Sequence, residues 1–229
     1  MLRTALGVGL ALAASLFPGP DTSLPARLAD TGGGSQLITA VAPAAGSTTG
    51  TLTWWDRRAG RWYAEGTTEA RFGGSGLAEG ASRVQGTNTT PAGLYALPYA
   101  FGIRRAPAGT EYDYRPVTPD SWWCQDNAST SYNRWTEPLP ADCAPGEAEH
   151  LVAYDRQYAH ALVIAFNYDR PVRGRGAGIF LHVNGKGATA GCVSVPERAM
   201  RAILRWADPR RRPHIAIGTE SGGLAVTRY

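Results

Sequence analysis

Short apolar or alternating runs bounded by glycine and proline recur along the chain, at residues 36–42, 51–57, 61–65, 93–97, 151–154, 159–166, 178–183, 214–217 and 224–227. Their length and β-branched or aromatic content read as strands. Residues 56–60 lie between two such runs as a hairpin connection, which points to a mainly antiparallel sandwich or open barrel. Helical spacing is scarce. One helix is expected after residue 194, where Ser194-Val195-Pro196-Glu197 has the form of a capping box with proline in the first turn. Met200, Ile203, Leu204 and Ala207 then recur as one apolar face. Residues 101–150 show little period but hold Trp122, Trp123, Tyr132 and Trp135. An unpatterned stretch of that length inside a domain is usually functional, and its aromatics argue against disorder, so it reads as a flap over a cleft.

The first residues carry Arg3 and then an apolar run over 5–14 that ends near Ser15 and Pro18. This is the pattern of a secretory leader, with an uncleaved N-terminal anchor as the alternative. The expected organisation is a leader or anchor over 1–26, a linker over 27–35 and one domain over 36–229, in a protein that is secreted or held at the cell envelope. The formal charge of +4 suits an anionic envelope surface. Nucleic acid fits poorly, because the basic residues are scattered apart from Arg210-Arg211-Arg212, which read as a solvated turn.

Cysteine arithmetic changes the picture. The chain holds Cys124, Cys143 and Cys192, an odd number, so an oxidising compartment leaves one thiol over. Cys124 and Cys143 flank one polar, aromatic loop and are the natural couple, a bridge that stabilises by roughly 3 kcal/mol in the chain-entropy model. Cys192 is then the free thiol, among glycine and hydroxyl neighbours rather than aliphatic ones.

A cysteine acyl transfer needs a thiolate, a base and donors for an oxyanion. His182, at the end of an apolar strand ten positions before Cys192, is the candidate base; the other histidines flank strands without small-residue loops. Proximity to a helix N-terminus is expected to lower the Cys192 pKa. The backbone N–H groups of Gly191 and Cys192 are candidate oxyanion donors. The group orienting His182 is a backbone carbonyl, that of Val183, or the side chain of Asn184. Lys186 reads as a hold for a substrate carboxylate or as a solvated loop cation. No metal-ligand spacing occurs, Gly73-Gly74-Ser75-Gly76 lacks the lysine of a phosphate loop, and neither metal nor cofactor is expected.

Several segments resemble the L,D-transpeptidase catalytic-domain family. Thr90-Pro91-Ala92-Gly93-Leu94-Tyr95 resembles its Thr-Pro-x-Gly-x-aromatic entry to a strand, and Ser131-Tyr132-Asn133-Arg134-Trp135 its aromatic flap. His182 is similar to its upstream histidine, and Thr189-x-Gly191-Cys192 to its Ser/Thr-His-Gly-Cys loop, with Ala190 in place of the loop histidine. The His-to-Cys spacing is shorter than is common there, and Ser194 stands where Arg or Asn is frequent. The resemblance, over about residues 36–218, implies an L,D-transpeptidase-like β-sandwich or open barrel with one short helix after the nucleophile. It also implies peptidoglycan stem peptides as donor and acceptor, Cys192 and His182 as the catalytic pair, and Tyr132, Lys186 and Thr189 as substrate contacts, in a monomer. Cys192 attacks the third stem residue, D-alanine leaves, and a diamino-acid amine resolves the thioester. Water as acceptor makes the same site an L,D-carboxypeptidase; the alternative of another class is a noncatalytic envelope-binding module.

Overall fold

The computed structural model describes residues 19–222. Residues 1–18 of the leader or anchor expected over 1–26, and the strand expected at 224–227, lie outside the described residues. The first five strands are β1 (Gln36–Ala42), β2 (Thr49–Arg58), β3 (Arg61–Arg71), β4 (Leu77–Glu79) and β5 (Thr90–Ala96). Six short strands follow: β6 (Ala100–Gly102), β7 (Tyr114–Pro116), β8 (Trp122–Cys124), β9 (Arg134–Thr136), β10 (Ala148–His150) and β11 (Ala161–Val163). The last are β12 (Phe180–Val183), β13 (Val193–Val195) and β14 (His214–Thr219). The helices are α1 (Leu24–Arg27) and α2 (Glu197–Trp206).

Eleven strands make one sheet in the order β4-β5-β14-β1-β2-β3-β13-β12-β11-β6-β7, and β10-β8-β9 make a second. The expected mainly β architecture is what the chain adopts. Antiparallel pairs predominate, but β1/β14, β12/β13, β4/β5 and β6/β7 are parallel. The hairpin at residues 56–60 forms as read: Arg58 pairs with Arg61 around Ala59 and Gly60. Both turn residues have positive φ, 47° and 78°, the type I′ geometry whose twist matches the flanking strands. A bulge at Trp54/Trp55 adds twist to the same ribbon.

The sheet curls until inward side chains from both halves share one core. Ile38, Leu52, Phe72 and Ile217 meet Leu162, Leu181 and Val193 there, with α2 as the filler. Met200, Ile203, Leu204 and Ala207 are each fully buried, as the helical spacing requires. The far end of α2 is pinned by polar contacts: Trp206 Nε1 donates to the Asp56 carboxylate at 2.9 Å, and Gln36 Nε2 donates to Trp206 O at 2.7 Å.

Four expectations are corrected. Residues 151–154 form a 3₁₀ turn, Leu151–Ala153, rather than a strand. Ser194 is not the helix cap: it belongs to β13, its hydroxyl donates to Asn184 Oδ1 at 2.9 Å, and Pro196 takes the cap position without a side-chain bond. The parallel ladder of β13 with β12 claims the residues that the local pattern offers to the helix. Residues 101–150 are not irregular either, but their strands are three residues long, too short to show alternation. Finally, α1 spans the boundary expected at residue 26. Pro25 and Leu28 are buried, and Leu24 packs with the cluster of Leu37, Trp62 and Ala216, so this segment lies against the sheet.

Cys124, on β8, and Cys143, in the connection between β9 and β10, are bonded, with Cα atoms 6.3 Å apart. Replacing both by serine is expected to lower the unfolding free energy by about 3 kcal/mol, read as a shift of the urea midpoint with the single transition retained.

Candidate active site

Parallel pairing sets the site. Leu181 lies opposite Val193 and His182 opposite Ser194, which brings Cys192 level with Phe180. Because side chains alternate across a strand, Leu181, Val183, Val193 and Val195 enter the main core, while Phe180, His182 and Cys192 face the other way. Histidine and cysteine therefore share one face, His182 on β12 and Cys192 just before β13. The loop over 184–192 is the crossover between them, shorter than the roughly dozen residues such a connection usually needs. Small residues make it possible. Gly191 has φ +140°, and a Cβ there would stand 2.8 Å from Arg83 Nη2 and 3.0 Å from Thr89 O.

The cysteine is held on every side. Its thiol accepts from Phe180 N–H and donates to Gly178 O, each at 3.4 Å. Its carbonyl accepts from the Thr189 hydroxyl at 2.7 Å and the Thr90 hydroxyl at 3.2 Å. The His182 ring is 6% exposed and its Nδ1 lies 2.8 Å from Val183 O. A carbonyl only accepts, so in the neutral ring Nδ1 carries the proton and Nε2 keeps its lone pair. Tyr158 meets the ring edge-on at 5.6 Å, with an interplanar angle of 90°.

Two cavities meet at Cys192. One, of about 280 Å³, runs along Gln125, Glu147, Glu149 and Gly178. The other, of about 210 Å³, runs along Tyr158, His182, Lys186 and Thr189. Glu149, Tyr154, Ala190 and Cys192 line both.

Burial dominates the electrostatics. It pushes the Cys192 thiol up to about 12, with the Glu149 charge adding to the rise and Phe180 N–H and Arg83 opposing it. Burial also pushes His182 down to about 4 against the Val183 hydrogen bond. The pair thus rests as neutral thiol and neutral imidazole. The expected lowering of the thiol pKa by a helix terminus is overturned, because β13 intervenes between Cys192 and the start of α2 at Glu197. Dipole effects fade within a turn of the terminus.

The other expected site residues fall as follows. Val183 supplies the carbonyl on His182, whereas the Asn184 side chain is engaged by Ser194. Gly191 N–H donates to the Thr189 hydroxyl at 3.1 Å, so in this state it is not free for an oxyanion, and Thr189 serves the loop as well as the cavity wall. Lys186 is exposed at the second cavity. Tyr132 is turned inward: its hydroxyl donates to Gln85 Oε1 at 2.8 Å and accepts from Gly176 N–H at 3.0 Å, and it lines neither cavity. The aromatic wall is Tyr154 and Tyr158 instead. His150, His160 and His214 line neither cavity, and their rings bond Pro119 O, Tyr114 and Arg212 O.

Three groups near the thiol escape sequence reading. Phe180 N–H is a backbone donor that no motif marks. Arg83 is a guanidinium only 6% exposed, donating to Thr89 O at 2.7 Å and Arg175 O at 3.2 Å, with no ion pair among the described residues. Glu149 arrives on β10 by pairing with Trp123 of β8. Neither charged residue has a sequence signal, since both stand alone in polar segments far from the cysteine loop.

The curled β-sheet thus presents a free cysteine and a buried histidine on one face, beside a small sheet that carries a disulfide. Residues 48–216 match the L,D-transpeptidase catalytic domain family (YkuD), and the chain belongs to that family of peptidoglycan-modifying enzymes. No curated protein matches the chain. Among solved structures, the chain is similar to Bd1075 of Bdellovibrio bacteriovorus, at 14% identity and a TM-score of 0.39, over 80% of this chain and 48% of that one. The chain thus spans about half the length of that protein.

A histidine whose folded pKa is depressed contributes stability that is present above pH 6.5 and lost as pH falls towards about 4. Replacing His182 by Gln is expected to remove that part of the acid destabilisation, checked by urea unfolding across this window. In the wild type, nitrogen-15 NMR should show a ring protonated on Nδ1 and uncharged at neutral pH.

Proposed function

We propose that the protein is an exported L,D-transpeptidase that cross-links peptidoglycan stem peptides through a Cys192 thioester. The position of Cys192 where two cavities meet supports this reading most directly, because a transpeptidase must present its acyl group to a leaving and an entering amine. The family's domain covers both strands of the site. The disulfide fits an oxidising, extracytoplasmic compartment.

In this reading Cys192 attacks the carbonyl carbon of the third stem residue. Since burial disfavours both charged forms, the thiol proton passes to His182 Nε2 as the C–S bond forms, not ahead of it. Cys192 N–H receives the developing oxyanion, joined by Gly191 N–H once it leaves the Thr189 hydroxyl. The C–N bond then breaks, His182 returns its proton to the leaving nitrogen, and D-alanine departs with its carboxylate towards Lys186. An amine that enters discharges the thioester and completes a cross-link; water gives the L,D-carboxypeptidase outcome.

Incubation with tetrapeptide muropeptides is expected to release D-alanine and leave an acyl-enzyme mass on the chain, and a carbapenem should form a covalent adduct. Replacing Cys192 by Ala should abolish all three signals. Replacing His182 by Ala should slow D-alanine release by about 10²–10⁴-fold, the usual contribution of a general acid–base group. Release that persists in the cysteine variant removes the mechanism.

A further inference from the structure

Glu149 is the one carboxyl that lines both cavities at the thiol. Its Oε1 accepts from the Tyr158 hydroxyl at 2.5 Å and its Oε2 from Gln125 Nε2 at 3.2 Å, so two neutral donors fix its orientation. It makes no ion pair among the described residues. A carboxyl withdrawn from water without a cation is costly to ionise, and a cation brought by a ligand relieves that cost. Burial accordingly lifts the Glu149 carboxyl to about 7, against the Tyr158 hydrogen bond.

The two cavities also differ in charge. The 280 Å³ cavity has Glu147 and Glu149 on its walls and no basic residue, whereas the 210 Å³ cavity has Lys186 and His182. A carboxylate-bearing leaving group suits the second, and a cationic group suits the first. Ala190, at the junction, adds only a methyl group and leaves the path between Glu149 and Cys192 uncluttered.

We propose that Glu149 is the specificity-determining residue for the nucleophile that discharges the Cys192 thioester, docking it as a primary ammonium in the 280 Å³ cavity. The ammonium gives one proton to the Glu149 carboxylate, the free amine attacks the thioester carbon, and as the C–N bond forms the C–S bond breaks, a second nitrogen proton passing through His182 to the Cys192 sulfur. This rests on the acyl-transfer reading given above. Glu149 selects a cationic amine over neutral nucleophiles by charge, and Glu147, exposed on the same cavity, adds to the attraction.

The test uses the purified full-length chain, a tetrapeptide muropeptide as acyl donor, and two competing nucleophiles at neutral pH: N-acetyl-lysinamide, a primary ammonium, and hydroxylamine, which is uncharged. Mass spectrometry reads the ratio of lysinamide to hydroxylamine product. E149Q is expected to lower that ratio at least about tenfold, the scale of one lost hydrogen bond to a charged group. E147K, at an exposed position where folding is not in question, should lower it in the same direction by repelling the ammonium. An unchanged ratio in folded E149Q, or in E147K if E149Q does not fold, overturns the inference while acyl-enzyme formation leaves the transpeptidase reading standing. A wild-type chain that forms no acyl-enzyme overturns both.

Discussion

Parallel pairing of β12 with β13 sorts residues by parity. Leu181, Val183, Val193 and Val195 go to the α2 side as core, and Phe180, His182 and Cys192 go to the other side as site. A one-residue slip of either strand would send the histidine or the cysteine into the main core and an aliphatic side chain into the cavity. That slip is strongly resisted, since it would put His182 or Ser194 into the core in place of buried aliphatic side chains. The stability of the core and the juxtaposition of His182 and Cys192 are thus one constraint seen from two faces. Gly191 and its small neighbours exist in the loop because this register leaves so little length for the crossover.

Burial then sets the electrostatic character of that face. With both the thiol and the imidazole withdrawn from water, the ionised pair is disfavoured at rest. The nearby charges pull in opposite directions: Arg83 favours thiolate and Glu149 opposes it. On the proposed reading, a substrate that occupies the cavities changes this balance more than any group in the free protein does. An ammonium beside Glu149 offsets the carboxylate and leaves Arg83 as the dominant field at the sulfur.

The flap connects the two roles. Its small sheet carries Glu149 to the thiol and Trp123 onto Phe180, whose ring centroids are 4.9 Å apart. Asn133 accepts from Trp123 Nε1 and Gly178 N–H, each at 3.0 Å, which ties this segment to the residues just before β12. Tyr132, similar in sequence to a flap aromatic of the family, acts here as an inward pin through Gln85 and Gly176. The aromatics that line the cavity come from residues 154 and 158 instead.

Much of this was legible along the chain, and the division follows interaction range. The long strands β1, β2 and β14, the β2–β3 hairpin and the apolar face of α2 are local patterns of period 2 or 3.6, so their residues announce them. Cys192 and His182 were legible because an odd thiol and a strand-end histidine bracket one small-residue loop. The three-residue strands, the parallel pairings and the true start of α2 were not, because nothing within a few residues distinguishes Ser194 as a cap from Ser194 as a ladder residue. Cavity walls, thiol pKa and the placement of Arg83 and Glu149 depend on segments brought together from across the chain. Local spacing singled out Cys192 and His182 as candidates; desolvation and long-range packing, properties of the closed fold alone, decided their charge state and their company.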